Sequence, residues 1–296
     1  MQDKEVFVIF GPTASGKSDL AKQIATKLES PIINFDSLQV YQQLRILSSR
    51  PSSQDEKLID HRLYGIIDGK ENCTVAKWLN LAKIEVENCW EEKKIPILVG
   101  GTGLYLKGLM QGISHIPDIS DSTIKNTDDS FVKNGANYLY KVLLEHNKST
   151  KIKENDTQRL KRSYSLLMET GHSLEEWQVK PEKIFENVNY KIILLNEDRS
   201  TIYEKAKIRF SAMIDNGAIE EVENLRKEEI DPNRSIMKAI GVREISKYLD
   251  NKYSLDDCKE ETVKKTRNYI KRQQTWIKSN NITCLLYTSD AADDKC

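Results

Sequence analysis

The 296-residue chain has no excess of either charge, with 45 Lys and Arg against 45 Asp and Glu. A global electrostatic pull toward nucleic acid is thereby excluded, and contact with a polyanion has to rest on local patches. Its five cysteines, Cys73, Cys89, Cys258, Cys284 and Cys296, lie far apart, with no C-x-x-C pair and no histidine at ligand spacing. Neither a metal cluster nor a disulfide framework is expected. The four histidines, His61, His115, His146 and His172, show no pairing suited to metal or general-base work and read as structural. No apolar run nears the length of a membrane span, and the chain passes from a few polar residues straight into its first apolar run. A cytoplasmic protein without leader or membrane anchor is therefore expected. Internal repeats and low-complexity linkers are also missing.

What is present begins at Gly11-Pro12-Thr13-Ala14-Ser15-Gly16-Lys17-Ser18, a G-x-x-x-x-G-K-[ST] loop between the apolar run 6–10 and the helix-like stretch 19–28. In that setting successive backbone N–H groups face an anion, and the helix dipole adds positive potential. The lysine and the hydroxyl serve the outer phosphate and Mg²⁺. The chain is thus expected to hold a di- or triphosphate, with Ser18 as the Mg²⁺ ligand.

Further apolar runs at 32–35, 95–99 and 192–195 suit buried parallel strands. With helical periodicity over 19–28 and 75–90, the front of the chain reads β-α-β-α-β. The expected fold class is α/β, a P-loop NTPase-like doubly wound parallel sheet with a mostly helical insertion domain and a helical C-terminal region. The expected divisions are a core at 1–117, a helical insertion at 118–189 with helices over 136–145 and 157–169, and a return to the core at 190–283. Helices are expected there at 200–216, 218–227, 243–249 and 255–278. Residues 284–296 resemble the in-frame translation of a sequencing-library adaptor and are set aside from the fold.

Asp36 ends the second strand and Gly100-Gly101-Thr102-Gly103 follows the third, both at the carboxyl edge where ligands bind in doubly wound sheets. A carboxylate there can hold Mg²⁺ through water, accept a proton from a nucleophile, or simply cap the next segment. Thr102 offers a hydroxyl to a phosphate or a nucleophile, or belongs to a plain turn. Arg209 lies on a helix whose Ile202, Ala206, Phe210 and Met213 form an apolar stripe, and by spacing alone it is a surface arginine. Two basic clusters stand far apart: Gln158-Arg159-Leu160-Lys161-Arg162, and a stripe of Lys264, Arg267, Lys271 and Lys278 with Arg272 beside it. Each suits either a phosphate backbone or a solvated face.

Taken together, the motifs Asp36-Ser37-Leu38-Gln39-Val40-Tyr41, Gly100-Gly101-Thr102-Gly103-Leu104-Tyr105 and Lys271-Arg272-Gln273-Gln274-Thr275-Trp276, in this order behind the P-loop, resemble those of the bacterial tRNA dimethylallyltransferases. The resemblance implies transfer of a dimethylallyl group from dimethylallyl diphosphate to the N6 amine of the adenosine 3′ to the anticodon. Asp36 would be the base and Thr102 its neighbour on the amine. Lys17, Arg209, the loop amides and Mg²⁺ would stabilise the departing diphosphate. It further implies that Asp36, Ser37, Leu38, Gln39, Thr102, Lys125, the 158–162 cluster, Arg267, Lys271, Arg272 and Gln273 contact a tRNA anticodon stem-loop. A monomer is expected. Lys125, where the family usually has arginine, and Val242, where it has tyrosine, depart from the pattern. An adenylate isopentenyltransferase and a P-loop small-molecule kinase are the alternatives.

Overall fold

The computed structural model describes residues 4–178 and 181–280 and the backbone of residues 285–287. In chain order the elements are β1 (Lys4–Phe10), α1 (Lys17–Leu28), β2 (Ile32–Asn34), α2 (Ser53–Leu58), β3 (His61–Arg62), α3 (Val75–Glu91), β4 (Ile97–Gly100) and α4 (Gly103–Gln111). Then follow α5 (Asp121–His146), α6 (Thr157–Thr170), α7 (Leu174–Trp177), β5 (Val188–Leu195), α8 (Arg199–Asp215), α9 (Ala218–Lys227), α10 (Val242–Leu249), α11 (Leu255–Ser279) and β6 (Leu285–Tyr287).

The strands form one parallel sheet in the order β3-β2-β4-β1-β5-β6. Helices between parallel strands bury both faces of a sheet, which is why its strands read as continuous apolar runs. Ile9, Ile32, Ile97, Val99 and Leu195 pack with Ala21 and Ala25 of α1 in one buried cluster. The expected doubly wound α/β fold is the observed one. Elements α2, β3, α4 and α7 were not among those expected; for α2 and β3 the reason is that neither a six-residue helix without a buried residue nor a two-residue strand carries a readable period. Leu285–Tyr287, within the segment set aside from the fold, pairs with Ile193 to Leu195, while 281–284 and 288–296 lie outside the described residues.

The chain divides into two compact units, one of Met1–Leu109 with Ile184–Cys296 and one of Met110–Lys183. The second covers most of the 118–189 span expected for the helical insertion. Its core is Leu139, Leu143, Ile152, Leu160, Tyr164 and Leu167, and an antiparallel bridge joins Ile113 to Glu182. Only the rear part of α5 was legible. The helix begins at a Ser120 cap that accepts from the Thr123 N–H, and it is interrupted at Gly135, whose φ of 79° is non-helical. The polar texture of the front half hid its periodicity.

Candidate functional site

The P-loop leaves β1 and feeds α1, and the left-handed backbone of Ala14 (φ 62°) and Gly16 (φ 82°) turns it. Its positive groups converge inward. Lys17 Nζ donates to the Pro12 carbonyl at 2.5 Å, and Arg209 Nη2 of α8 donates to Thr13 Oγ1 at 2.7 Å. Burial draws the Lys17 pKa down to about 8, with Arg209 adding to the fall and the Asp36 charge opposing it. Burial likewise lowers the Arg209 guanidinium, again against the pull of Asp36. Ile202, Ala206, Phe210 and Met213 are buried as the stripe required, yet Arg209 is not the surface arginine that spacing suggested. Which loop an arginine reaches is a tertiary fact.

Asp36 is held by a buried neighbour. Asn34, fully enclosed at the end of β2, accepts the Asp36 N–H at 2.7 Å and donates to the carbonyls of Asp36 and Leu63, each at 3.1 Å. Trp78 Nε1 donates to the Asn34 carbonyl at 2.9 Å. Asp36 Oδ1 in turn accepts the Leu38 N–H at 2.9 Å, so the carboxylate does cap the following turn. Its charge still reaches outward, adding to burial in raising the Tyr64, Tyr105 and Tyr269 hydroxyls above their ordinary range. Thr102 stands beside this turn, its hydroxyl oxygen accepting the Ser37 N–H at 3.0 Å. The structure thus brings Asp36, Ser37, Leu38 and Thr102 together. Gln39 braces the same loop by donating to the Ser48 and Ser49 carbonyls at 2.8 and 2.9 Å. From α9, Glu221 accepts the N–H groups of Arg45, Ile46 and Leu47 at 2.6, 2.7 and 2.9 Å. Asn34 and Glu221 were missed by sequence reasoning. A polar residue inside an apolar strand, two positions before Asp36, was the available signal for the first; nothing local signals the second.

A cleft of about 430 Å³ opens at the P-loop, lined by Gly16, Lys17, Ser18, Gln39, Arg50 and Arg209 among others. Ser15 Oγ and Arg50 Nε, both buried, have no hydrogen-bond partner among the described residues. Oxygen donors near the loop, the Ser18 hydroxyl and the Asp36 carboxylate, suit a hard cation such as Mg²⁺ that takes its other ligands from phosphate and water. Among the described residues no cluster of three or more His, Cys, Asp or Glu is arranged to hold a metal by itself. A more open groove of about 560 Å³ runs along α11 past Lys271, Arg272, Thr275 and Trp276.

The basic clusters divide more finely than their spacing indicates. On α6, Gln158, Arg159 and Arg162 are exposed, whereas Leu160 is wholly buried in the helical core and cannot contact a partner. Lys161 is bound to Asp128 at 2.8 Å and lies over the Phe131 ring. Lys125 is exposed on α5. On α11, Lys271 and Arg272 are exposed, while Arg267 is partly buried against the Tyr203 ring with Glu204 at 3.9 Å. Lys265 pairs with the buried Glu244. Gln273, which the resemblance gave to the tRNA, is buried: its Oε1 accepts the Thr13 N–H and its Nε2 donates to the Gly101 carbonyl, both at 2.9 Å. The helix approaches so closely that a Cβ at Gly101 would stand 2.5 Å from Gln273 Nε2 and one at Gly103 2.4 Å from the Trp276 ring.

Residues 39–280 match a family model described as IPP transferase. The tRNA dimethylallyltransferase of Pelagibacter ubique is 40% identical over 280 residues, covering 94% of this chain and 90% of that protein. That of Rickettsia felis is 37% identical over 94% of this chain and 91% of its own length. Among solved structures, a eukaryotic dimethylallyltransferase acting on tRNA superposes with a TM-score of 0.77 at 26% identity, covering 97% of this chain and 75% of that one. The tRNA isopentenylpyrophosphate transferase of Bacillus halodurans gives 0.68 at 26% identity, covering 96% and 90%.

Proposed function

The chain belongs to the IPP transferase family, and from that premise we propose that it transfers a dimethylallyl group from dimethylallyl diphosphate to the N6 amine of the adenosine 3′ to the anticodon of tRNA. The single observation that carries this reading is the meeting, at one sheet edge, of a carboxylate turn (Asp36 with Thr102) and a cationic phosphate cradle (Lys17, Arg209 and the loop).

The adenine amine is a weak nucleophile because its lone pair is delocalised into the ring. As that pair forms the new N–C bond, the allylic C–O bond breaks and its electrons leave on diphosphate. Asp36 takes the amine proton, and Thr102 orients the amine. Charge developing on the leaving group is met by the amides of residues 14–18, by Lys17 and by Arg209. Ser18 would hold a Mg²⁺ ion, which supplies further neutralisation of the diphosphate when bound. The exposed Arg159, Arg162, Lys125, Lys271 and Arg272 would contact the phosphates of an anticodon stem-loop, whose unpaired target base leaves its stack at a cost of a few kcal/mol.

The test is transfer of labelled dimethylallyl from its diphosphate to an anticodon stem-loop carrying the target adenosine. AMP as acceptor and ATP as phosphoryl donor to a small alcohol run in parallel. Label on the RNA, lost with Asp36→Ala, supports the proposal. Label on AMP alone would make the chain an adenylate isopentenyltransferase, and phosphate transfer from ATP would make it a kinase.

A further inference from the structure

Between Pro12 and Thr13 lies a single peptide unit that two side chains hold from opposite ends. Its carbonyl receives Lys17 Nζ, and its N–H is taken by Gln273 Oε1. Because the unit is planar, fixing the N–H fixes the direction of the carbonyl, and with it the place where Lys17 rests. The same Thr13 carries the hydroxyl that receives Arg209. Gln273 reaches this unit from α11 while its other amide atom is anchored on Gly101, in the turn that also carries Thr102.

We propose that Gln273 is a positioning residue for the diphosphate half of the reaction: its carboxamide locks the Pro12–Thr13 peptide and thereby sets Lys17 and Arg209. The proposal rests on the reading that diphosphate is the leaving group. The two partners, one a donor and one an acceptor, explain the residue type. A carboxylate offers no donor to the Gly101 carbonyl, a thioether offers neither function adequately, and asparagine is a methylene shorter. Nothing in this geometry involves RNA, so Gln273 is separated in role from Lys271 and Arg272, its exposed neighbours on the same helix.

The experiment compares the full chain with Gln273→Met and, should that variant fold poorly, with the neutral Gln273→Asn, which keeps both polar functions but is a methylene too short to span them. Binding of inorganic pyrophosphate with Mg²⁺ and steady-state kinetics for both substrates are read. Both variants are expected to weaken pyrophosphate binding and raise the KM for dimethylallyl diphosphate by on the order of tenfold, the scale of one lost buried hydrogen bond. The KM for the stem-loop should stay unchanged, which a general loss of structure would not achieve. Combined with Thr13→Val, the loss should be smaller than the product of the separate losses, since both changes act through one peptide unit. Unaltered pyrophosphate affinity in the Gln273 variants, or a rise confined to the KM for RNA, overturns the proposal. Lys17→Ala serves as the control. If it binds pyrophosphate as well as wild type, the diphosphate reading itself falls and the proposal with it. If it alone loses binding, only the role of Gln273 is rejected.

Discussion

The sheet-bearing unit and the helical unit use basic residues in opposite ways. At the P-loop, Lys17 and Arg209 are half-buried and drawn down in pKa, each tied to a backbone or hydroxyl oxygen of the loop. In Met110–Lys183 the cations Arg159 and Arg162 project from an exposed face, and the inward side of the same turn, Leu160, only completes the unit's own core. Enclosure makes a charge specific and expensive, because a desolvated cation needs its counter-charge at a fixed place. Exposure makes it cheap, tolerant and sensitive to salt. Helix α11 contains both modes, with Lys271 and Arg272 outside and Gln273 inside.

The contrast can be broken most severely at Asp36. Asp36→Ala should lower single-turnover transfer by roughly 10²- to 10⁴-fold, the span of a general base, with RNA affinity nearly intact. Equal loss of RNA binding would show that the residue grips substrate rather than moves a proton. Arg209→Ala comes next, with an expected fall in kcat on the order of 10²-fold, as for removal of one donor to developing charge. Unchanged kcat would return Arg209 to the exposed class.

In the helical unit, Leu160→Ala should cost about 2–5 kcal/mol of that unit's stability, read by hydrogen exchange confined to residues 110–183, while pyrophosphate binding persists. Lost pyrophosphate binding would contradict the separation of roles.

Lys17 provides a pH test. Its folded pKa of about 8 lies below its ordinary 10.5, so kcat/KM for the diphosphate substrate should decline as pH rises through about 8. The stability sign is the reverse. Between these two values the unfolded chain binds more protons at this site, so its contribution to stability rises with pH across that window and is absent below it. A kcat/KM profile flat from pH 7 to 9.5 would remove Lys17 from the charge-stabilising set. Smallest of all, Arg159→Gln or Lys271→Gln should weaken RNA binding only a few-fold and flatten its logarithmic salt dependence by about 0.7 per contact. Lys161→Gln should change the slope less, since its ammonium is already bound to Asp128.

Much of this molecule was written locally. The P-loop signature, the apolar runs of β1, β2, β4 and β5, and the periodicity of α3, α6, α8 and α11 depend on residues close together in sequence, so the doubly wound fold and the loop between β1 and α1 were legible from them. Asp36 and Thr102 could be placed at one edge because strand ends in a parallel sheet share a side. What the tertiary structure alone decided is where side chains from distant segments end. Arg209 turns to Thr13, Gln273 turns inward to the loop rather than outward to solvent, and Leu160 lies in the core within a run of basic residues. Periodicity assigns a residue to a face of its helix, but which face meets the loop, the core or water is fixed only when the helices pack. That step depends on the whole chain, because each buried polar group must find its partner there.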